Sequence, residues 1–415
     1  MSETAYERPR HATRVPGHPV LKTLLLATVG ILTFSFVLVH TYVGKIEEHL
    51  DIEDIAPLLG PDRPDVVINP EDGAAGRALN IVLMGSDDRS GENAAIGGVE
   101  AGKRNDTTLI MHISADRRRV ELVSIPRDTM VNLASCDRSD GSTQRAYFGQ
   151  FNEAFANGAR PTDKNSDGAA CTIRTIESLT DIYVDHYAVI DFTGFRNMVE
   201  AAHGVPMCIP TTYEDPYSGT YLSPGPQTLD GDQAIAYVRM RHGKNTSGSD
   251  LDRIDRQQQF LKNLAKKVIS SEMLYRPQDI TNFIMAVADS LTLDNQLGDV
   301  LGYTGGLAFS LRHLDPTAGI VMATAPVEAY PADHNRVQFS AKANAIWEAL
   351  RNDQPIAPLL DKQSASPANE EAPASTGGGS SEEGTGGSAG GSTGGGSQDA
   401  GVDPAQQILD ACQVG

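Results

Sequence analysis

The sequence contains one long apolar run, and this run constrains where the remaining chain can fold. From Leu24 to Val43 it reads LLLATVGILTFSFVLVHTYV, twenty residues without Asp, Glu, Lys or Arg. A helix of this length rises about 30 Å, which matches the hydrocarbon thickness of a bilayer. We therefore predict a transmembrane helix over residues 23–43.

Charged residues flank this run unequally, with arginines before it and acids after it. Under the positive-inside rule, residues 1–22 form a cytoplasmic basic segment. The chain is then a single-pass protein of the cell membrane, and the part that follows the apolar run is extracellular. A cleaved signal peptide is the alternative, but the run is long for one and no small-x-small cleavage site follows it.

The overall charge excludes one large class of partner. The chain has 34 Lys and Arg against 54 Asp and Glu, a formal net charge of −20. A nucleic-acid binder needs basic surface to displace counterions from phosphates, so we expect no nucleic-acid partner. Local clusters of basic residues must therefore bind any anionic ligand.

Short β-rich apolar runs alternate with stretches of helical spacing over about 270 residues. This alternation predicts a single mixed α/β domain with a central sheet flanked by helices, over residues 77–352. The predicted strands are 79–85, 107–113, 120–125 and 186–191, and the predicted helices are 171–182, 192–203, 229–239, 250–270 and 340–351.

The segments around this domain have a different composition. Residues 44–76 carry acids, prolines and glycines and are predicted to be a stalk with at most a short helix. Residues 353–401 form a Gly/Ser-rich disordered linker that cannot bury apolar surface. Residues 402–415 are a C-terminal tail that a disulfide could tether to the domain.

The chain has four cysteines, and all of them follow the apolar run. Outside the cell they can form disulfides, and four thiols allow three pairings among which sequence alone does not choose. We expect Cys136 with Cys171 and Cys208 with Cys412. Zinc is not expected, because the cysteines show no CxxC or Cys/His spacing.

Six arginines occur in polar segments next to predicted strands and helices. On an acidic protein, such a cluster is costly unless an anion of high charge density lies within it, and a pyrophosphate fits. Surface salt bridges to the many acids are the alternative. The six are Arg104, Arg127, Arg239, Arg241, Arg253 and Arg256.

Two aspartates lie at the edges of the first two predicted strands. Asp87 follows the first, and Asp106 precedes the second. Paired carboxylates are the usual protein ligands of magnesium, which completes its octahedron with water and phosphate oxygens. The sequence therefore predicts a Mg²⁺ or Mn²⁺ site beside the arginines.

Six ordered motifs of this chain resemble those of the LytR-CpsA-Psr family of cell-envelope glycopolymer transferases. The resemblance covers residues 78–275 densely and the chain to about 350 loosely. It implies a mixed α/β fold that encloses an apolar groove for a polyprenyl chain. The motifs are GSDDR, RNDTTLIMHIS, VSIPRDTMV, FNEAFANG, TLDGDQAIAYVRMRH and DLDRIDRQQQFL.

The resemblance also assigns roles to individual residues. It implies that Asp87 and Asp106 bind the metal and that Asp250 and Arg253 form the DxxR part of the last motif. The segment 90–103 makes the spacing between the two metal aspartates longer than the family pattern, and we expect it to be a loop near the acceptor entrance. The implied pyrophosphate contacts are Arg104, Arg127, Arg239, Arg241, Arg253, Arg256 and Gln257, and the implied catalytic set is Asp106, Arg127, Arg239 and Arg241.

Some roles stay open at this level. Asp128 and Asp250 are both candidates for the general base, and metal-assisted deprotonation is a further possibility. His242 could line the site. His112, in an apolar strand, and Trp347, in the last helix, are predicted to be structural.

The function that the resemblance implies is phosphotransfer. Members of the family move a glycopolymer from a polyprenyl-pyrophosphate carrier to the muramic acid 6-hydroxyl of peptidoglycan and release polyprenyl phosphate. The cysteine pattern and the Gly/Ser-rich tail resemble those of actinobacterial members, which favours arabinogalactan or a related wall polysaccharide as donor; teichoic acid or capsule is the alternative. The alternatives are a non-catalytic protein that binds polyprenyl pyrophosphate or wall polymer, and a lipid pyrophosphatase.

Overall fold

The structure is a computed structural model that describes most of the chain between residues 19 and 364. Several predicted features lie outside the described residues, namely most of the cytoplasmic segment, the 90–103 loop except Lys103, His242, and the tail with Cys412. The described residues are 19–66, 76–87, 103–241, 243, 246, 248–269, 277–289, 291–315 and 318–364.

The first of two compact units extends to His49. Its described part is helix α1 (Pro19–His49), which includes the apolar run. Several apolar side chains on this helix are exposed, among them Leu32 and Phe34. Within the described residues, no helix meets the length and hydropathy of a membrane span. The transmembrane helix over residues 23–43 therefore stays a prediction.

The second unit begins at Leu50 and is built on a mixed sheet. In the described residues, seven strands pair in the order β1-β14-β9-β2-β3-β4-β15. β2 pairs antiparallel with β3 and parallel with β9, and β4 pairs parallel with β15. The strands are β1 (Asp51–Ile52), β2 (Leu79–Ser86), β3 (Asn105–Ile113), β4 (Val120–Ile125), β5 (Met130–Leu133), β6 (Cys136–Asp137), β7 (Thr143–Gln144), β8 (Tyr147–Gln150), β9 (His186–Ile190), β10 (Val205–Ile209), β11 (Tyr213–Asp215), β12 (Thr220–Leu222), β13 (Gly225–Leu229), β14 (Leu291–Leu293), β15 (Ile320–Thr324), β16 (Val327–Ala329) and β17 (Val337–Phe339).

Helices cover both faces of this sheet, as the sequence predicts. Polar side chains cap the N-termini of two of these helices. Asp230 and Gln233 form a capping box at the helix that begins at Gly231. At the helix that begins at Phe192, Asp191 accepts a hydrogen bond from the Gly194 N–H at 2.7 Å. The helices are α2 (Ala56–Leu59), α3 (Glu153–Ala159), α4 (Asn165–Thr180), α5 (Phe192–Ala201), α6 (Gly231–Arg239), α7 (Asp250–Ile269), α8 (Pro277–Ala288), α9 (Asn295–Gly298), α10 (Gly305–Ser310), α11 (Ala343–Arg351) and α12 (Ala357–Ser364), with a π-helix at Val300–Thr304 and a 3-10 helix at Leu311–His313.

The main core lies on one face of the sheet, beneath α4 and α11. Alternate side chains of β2, β3 and β4 enter it, because successive residues of a strand point to opposite faces. Phe155 and Ile173 are buried there, and so is Trp347, which confirms its predicted structural role. A disulfide joins Cys136 to Cys171 and ties β6 to α4, as expected. The pairing of Cys208 with Cys412 stays a prediction.

The domain begins and ends outside the predicted boundaries. β1 pairs with β14 in the central sheet, and Leu59 of α2 packs in the main core, so residues 51–59 of the predicted stalk are part of the domain. Residues 44–49 of the predicted stalk belong to helix α1 instead. At the other end, Ile356 is fully buried and α12 follows it, so the disordered linker does not begin at residue 353. These elements are too short to give a periodic signal.

Buried polar residues hold this C-terminal end in place. His112 is completely buried; its Nδ1 contacts Asn80 at 2.8 Å and its Nε2 contacts Asp353 at 3.1 Å. Arg119 also donates to the Asp353 carboxylate at 2.7 Å. His112 is therefore structural, as predicted.

Candidate functional site

The site begins where β2 and β3 end at the same edge of the sheet. The pairing register shifts between Gly85 and Ser86, and Asp106 is the extra residue of the resulting β-bulge. Bulges reorient side chains next to functional sites. Beyond the bulge, the Asp87 N–H donates to the carbonyl of Arg104 at 2.7 Å. The two predicted metal ligands, Asp87 and Asp106, thus lie at the same end of neighbouring strands.

An arginine from the next strand contacts one of these aspartates. β4 ends at Pro126, and Arg127 directly after it donates through Nη1 to Asp106 Oδ1 at 2.5 Å. Its Nε lies 3.7 Å from Asp128 Oδ2 and 3.8 Å from Asp250 Oδ1. Burial opposes the charge of Arg127, but the surrounding carboxylates raise its pKa. Arg127 therefore stays a cation among three acids.

The N-terminal turn of α7 contributes two more of the predicted residues. Arg253 is 3% exposed; it pairs through Nη2 with Asp250 Oδ1 and lies 3.4 Å from the carbonyl of Asp106. Burial lowers the pKa of Arg253. One turn further, Gln257 accepts a hydrogen bond from Thr107 Oγ1 at 3.2 Å. The helical spacing i, i+4 places both side chains against the bulge.

Asp128 joins two further arginines to the site. Arg241 Nη2 lies 3.4 Å from its Oδ2, and Arg336 Nη1 donates to its Oδ1 at 3.1 Å. Burial raises the pKa of Asp128. Arg336 was not predicted, because no motif surrounds it; a parallel bridge between Thr129 and Val337 brings it to the site.

Several buried nitrogen atoms at this site lack hydrogen-bond partners. Unpaired buried donors are rare and cost about 1–3 kcal/mol each, so a cluster of them indicates a missing acceptor. Guanidinium groups bind phosphate oxygens through this kind of donor. In the described part of the chain, the Nε atoms concerned belong to Arg127, Arg241, Arg253 and Arg256.

The predicted arginines do not all have the same surroundings. Arg256 is buried and donates to the carbonyl of Met240, and Arg104 is exposed. The guanidinium of Arg239 lies 4.6 Å above the ring of Phe192 and lines a different cavity. Of the six, the contacts bring Arg127, Arg241 and Arg253 directly to the acidic cluster. The sequence predicted one shared site for Arg239 and Arg241 because they are two residues apart, but in the structure only Arg241 contacts the acidic cluster.

The donor set at the strand ends fits magnesium. Among the described residues, no group of three or more His, Cys, Asp or Glu side chains could hold a metal ion by itself. Mg²⁺ commonly binds one or two protein carboxylates and completes its shell with water and substrate phosphate oxygens. Asp87 and Asp106 would supply two carboxylates of this kind, and one oxygen of Asp106 is also paired with Arg127.

The sheet face opposite the main core carries an apolar cluster next to this site. Its covering side chains are only partly buried, and a cavity of about 360 Å³ lies between α7 and β15. Gln258, adjacent to Gln257, lines that cavity and donates to Ser124 Oγ at 2.9 Å. The buried members are Leu79, Ile81, Leu109, Ile113, Val120 and Leu122, and the partly buried members include Leu261, Leu297, Leu307, Leu311, Ile320 and Met322.

Known proteins share this sequence pattern. Residues 49–348 match the model of the LytR_cpsA_psr family. The cell wall biosynthesis protein LcpA of Corynebacterium glutamicum is 30% identical over 304 residues, which cover 68% of this chain and 56% of LcpA. The polyisoprenyl-teichoic acid–peptidoglycan teichoic acid transferase TagU of Bacillus subtilis is 25% identical over 295 residues, 71% of this chain and 83% of TagU.

A solved structure shares the fold. The LytR-Csp2A-Psr enzyme from Actinomyces oris superimposes with a TM-score of 0.51 at 19% identity, over 72% of this chain and 95% of that chain. The predicted mixed α/β fold is thereby confirmed. The chain spans 56% and 61% of the lengths of the corynebacterial proteins LcpA and LcpB that it matches.

Proposed function

The chain belongs to the LytR-CpsA-Psr family, and we propose that it transfers a glycopolymer from a polyprenyl-pyrophosphate carrier to the muramic acid 6-hydroxyl of peptidoglycan. The observation that carries the proposal is the set of buried guanidinium nitrogens without hydrogen-bond partners beside the acidic strand ends. The names of LcpA and TagU, a cell wall biosynthesis protein and a teichoic acid transferase, support it.

The reaction requires one bond to form and one to break at phosphorus. The acceptor 6-oxygen attacks the phosphorus that carries the glycopolymer, the bridging P–O bond breaks, and polyprenyl phosphate leaves. Such a transfer depends on positioning and on neutralising phosphate charge rather than on a covalent nucleophile. Arg127, Arg241 and Arg253 supply fixed cations for that charge. A Mg²⁺ ion, held by Asp87 and Asp106, would add further neutralisation.

Of the two candidate bases, Asp250 is better placed to accept the hydroxyl proton. Both oxygens of Asp128 face guanidinium groups, those of Arg241 and Arg336. Asp250 pairs through Oδ1 with Arg253, whereas its Oδ2 is buried without a hydrogen-bond partner. This oxygen without a hydrogen-bond partner distinguishes Asp250 from Asp128, so Asp250 is the general base that we propose.

We propose that the apolar cluster binds the polyprenyl chain, because an isoprenoid tail requires an apolar surface at the edge of the phosphate site. Ile320 and Met322 extend that surface into the neighbouring cavity, whose α7 side is mostly polar. We further propose that residues 23–43 anchor the protein in the cell membrane, with the N-terminus in the cytoplasm and the domain outside. Arabinogalactan or a related wall polysaccharide is the proposed donor.

One assay distinguishes this function from its two alternatives. The full chain in detergent micelles is given a polyprenyl-pyrophosphate-linked saccharide with and without soluble peptidoglycan strands, with Mg²⁺ or with EDTA. We expect a peptidoglycan-linked product that EDTA and Asp106→Asn both abolish. As a control, Asp140→Asn changes an exposed aspartate elsewhere on the domain.

The other outcomes separate the alternatives. Polyprenyl phosphate released at the same rate with and without peptidoglycan, and no linked product, would identify a lipid pyrophosphatase. Binding of the lipid without turnover would identify a non-catalytic protein. Full activity in EDTA would refute the metal site but not the transferase function.

A further inference from the structure

A second cavity, of about 580 Å³, lies between α5, the β11–β12 hairpin and α6. Arg196 of α5, Thr220 and Tyr221 of the hairpin, and Asp232 and Arg239 of α6 line it. Its volume is in the range of small-molecule sites, about 300–1,000 Å³. The metal aspartates and the apolar cluster do not appear among its described lining residues.

The chemistry of this cavity suits a saccharide. Its described lining combines guanidinium, carboxylate, carboxamide and hydroxyl groups, which together can donate to and accept from the hydroxyls of a sugar. Ser218 and Thr220 share a hydrogen bond between their hydroxyls at 2.6 Å. Tyr221 is 69% exposed and offers an aromatic ring that is apolar on its face and polar at its tip.

The charge of the cavity indicates an acidic sugar. Two guanidinium groups, Arg196 and Arg239, and one carboxylate, Asp232, occur among the described lining residues, although the whole chain has a net charge of −20. A local excess of cations on an acidic protein favours an anionic ligand. Arginine recognises carboxylates and phosphates through a planar pair of donors.

The backbone connects this cavity directly to the arginine site. Arg239 ends α6, and Arg241, two residues later, reaches Asp128; two residues span at most about 7 Å of chain. Asp215, at the end of β11, is buried and joins the β11–β12 hairpin to the backbone of Arg241. Its Oδ2 accepts from the Arg241 N–H at 3.3 Å, and its Oδ1 accepts from the Tyr217 N–H at 2.9 Å.

We propose that this cavity binds an anionic saccharide unit of one of the two polymers that the site joins. The proposal rests on the proposed transferase function, because it names the sugar subsite of the same reaction. The Cα atoms of Arg239, which lines the cavity, and Arg241, which contacts Asp128, are at most about 7 Å apart, although their side chains have different surroundings. The unit comes either from the muramic acid of the peptidoglycan acceptor or from the lipid-linked donor, which in the second case is an acidic polymer and not the neutral arabinogalactan proposed above.

Binding measurements test this subsite without requiring turnover. Isothermal titration calorimetry on the full chain in detergent micelles uses three probes: a GlcNAc–MurNAc tetrasaccharide, a polyprenyl-pyrophosphate-linked acidic disaccharide, and farnesyl pyrophosphate without sugar. The variants are Tyr221→Ala and Arg196→Gln. The matched control is Tyr217→Ala, since Tyr217 is in the same hairpin region, is 87% exposed and is absent from the described lining.

We expect both cavity variants to raise the Kd of one saccharide probe about tenfold, a loss of about 1.4 kcal/mol, and to leave the Kd of farnesyl pyrophosphate unchanged. An effect on the tetrasaccharide identifies the acceptor as the source, and an effect confined to the lipid-linked disaccharide identifies the donor. The proposal is overturned if the wild type binds neither saccharide, or if the cavity variants bind both as Tyr217→Ala does. If the transferase assay fails but the cavity variants still weaken saccharide binding, the proposed function is wrong and the saccharide site is retained.

Discussion

Replacement of Arg127 by Gln tests whether this arginine acts in catalysis or only as an ion-pair partner of Asp106. Its Nη1 is 2.5 Å from Asp106, and the two side chains are 18% and 22% exposed. Ion pairs at exposed sites are worth about 0.2–1 kcal/mol, and breaking a buried pair costs about 3–5 kcal/mol. A half-buried pair lies between these limits, so we expect a loss of about 2 kcal/mol of unfolding free energy. For a domain of this size, that lowers Tm by about 4 °C.

The expected effect on catalysis is larger than the effect on stability. Loss of one preorganised donor that stabilises transition-state charge lowers kcat about 100- to 1,000-fold, equivalent to about 3–4 kcal/mol. The assay follows transfer of a lipid-linked saccharide to soluble peptidoglycan at saturating substrate, with Tm measured on the same samples. Arg145→Gln is the matched control, because Arg145 is exposed. If Arg127→Gln lowers Tm by 4 °C but keeps the kcat of the control, Arg127 is only a structural ion-pair partner.

Three further predictions follow from the described contacts. Asp250→Asn should lower kcat about 100-fold or more, whereas Asp128→Asn should lower it less; equal losses of kcat in the two variants would refute the assignment of the base. The disulfide closes a loop with a sequence separation of 35, so Cys136→Ala/Cys171→Ala should lose about 4 kcal/mol in denaturant unfolding, and unchanged stability would contradict this. For Asp353, burial opposes ionisation, but hydrogen bonds from His112 and the Ala115 N–H and the charge of Arg119 lower its pKa below 3.8. The unfolded state then binds more protons, so this stabilisation is full above pH 3.8 and disappears as the pH falls through the folded-state pKa. Asp353→Asn should therefore lower Tm at pH 7, and the Tm difference from wild type should shrink below pH 3.8; a difference that does not change with pH would refute the linkage.

The local elements could be predicted because their signals are local. β4 is six consecutive buried residues, and the sequence VELVSI shows this directly. Pro126 ends that strand and places Arg127 at its edge, which the sequence also predicts. In α7, the i, i+4 spacing of Arg253 and Gln257 can be read from the sequence and places both side chains on one helix face. The short elements β1 and α2 escaped prediction, because a strand of two residues and a helix of one turn have no periodicity.

The geometry of the site depends on contacts between distant segments. Arg336 reaches Asp128 across 208 residues, only because β17 lies beside the loop after β4. Arg239 and Arg241 are two residues apart and have identical side chains. Arg239 nevertheless stacks on Phe192, whereas Arg241 contacts Asp128. Asp128 and Asp250 are equal candidates for the base in the sequence, and the proposal of Asp250 rests on hydrogen-bond partners that only the tertiary structure shows.

The amino-acid sequence by itself determined the types of groups and the order in which strands and helices present them, because periodicity, caps and prolines act over a few residues. It determined the mixed α/β class and the two strand-end aspartates in the same way. Only the tertiary structure decided which guanidinium groups share carboxylates, which nitrogen atoms are buried without a partner, and that a second, polar cavity adjoins the arginines. The physical reason is that burial and ion pairing depend on three-dimensional packing of segments far apart in the chain, which no local pattern specifies.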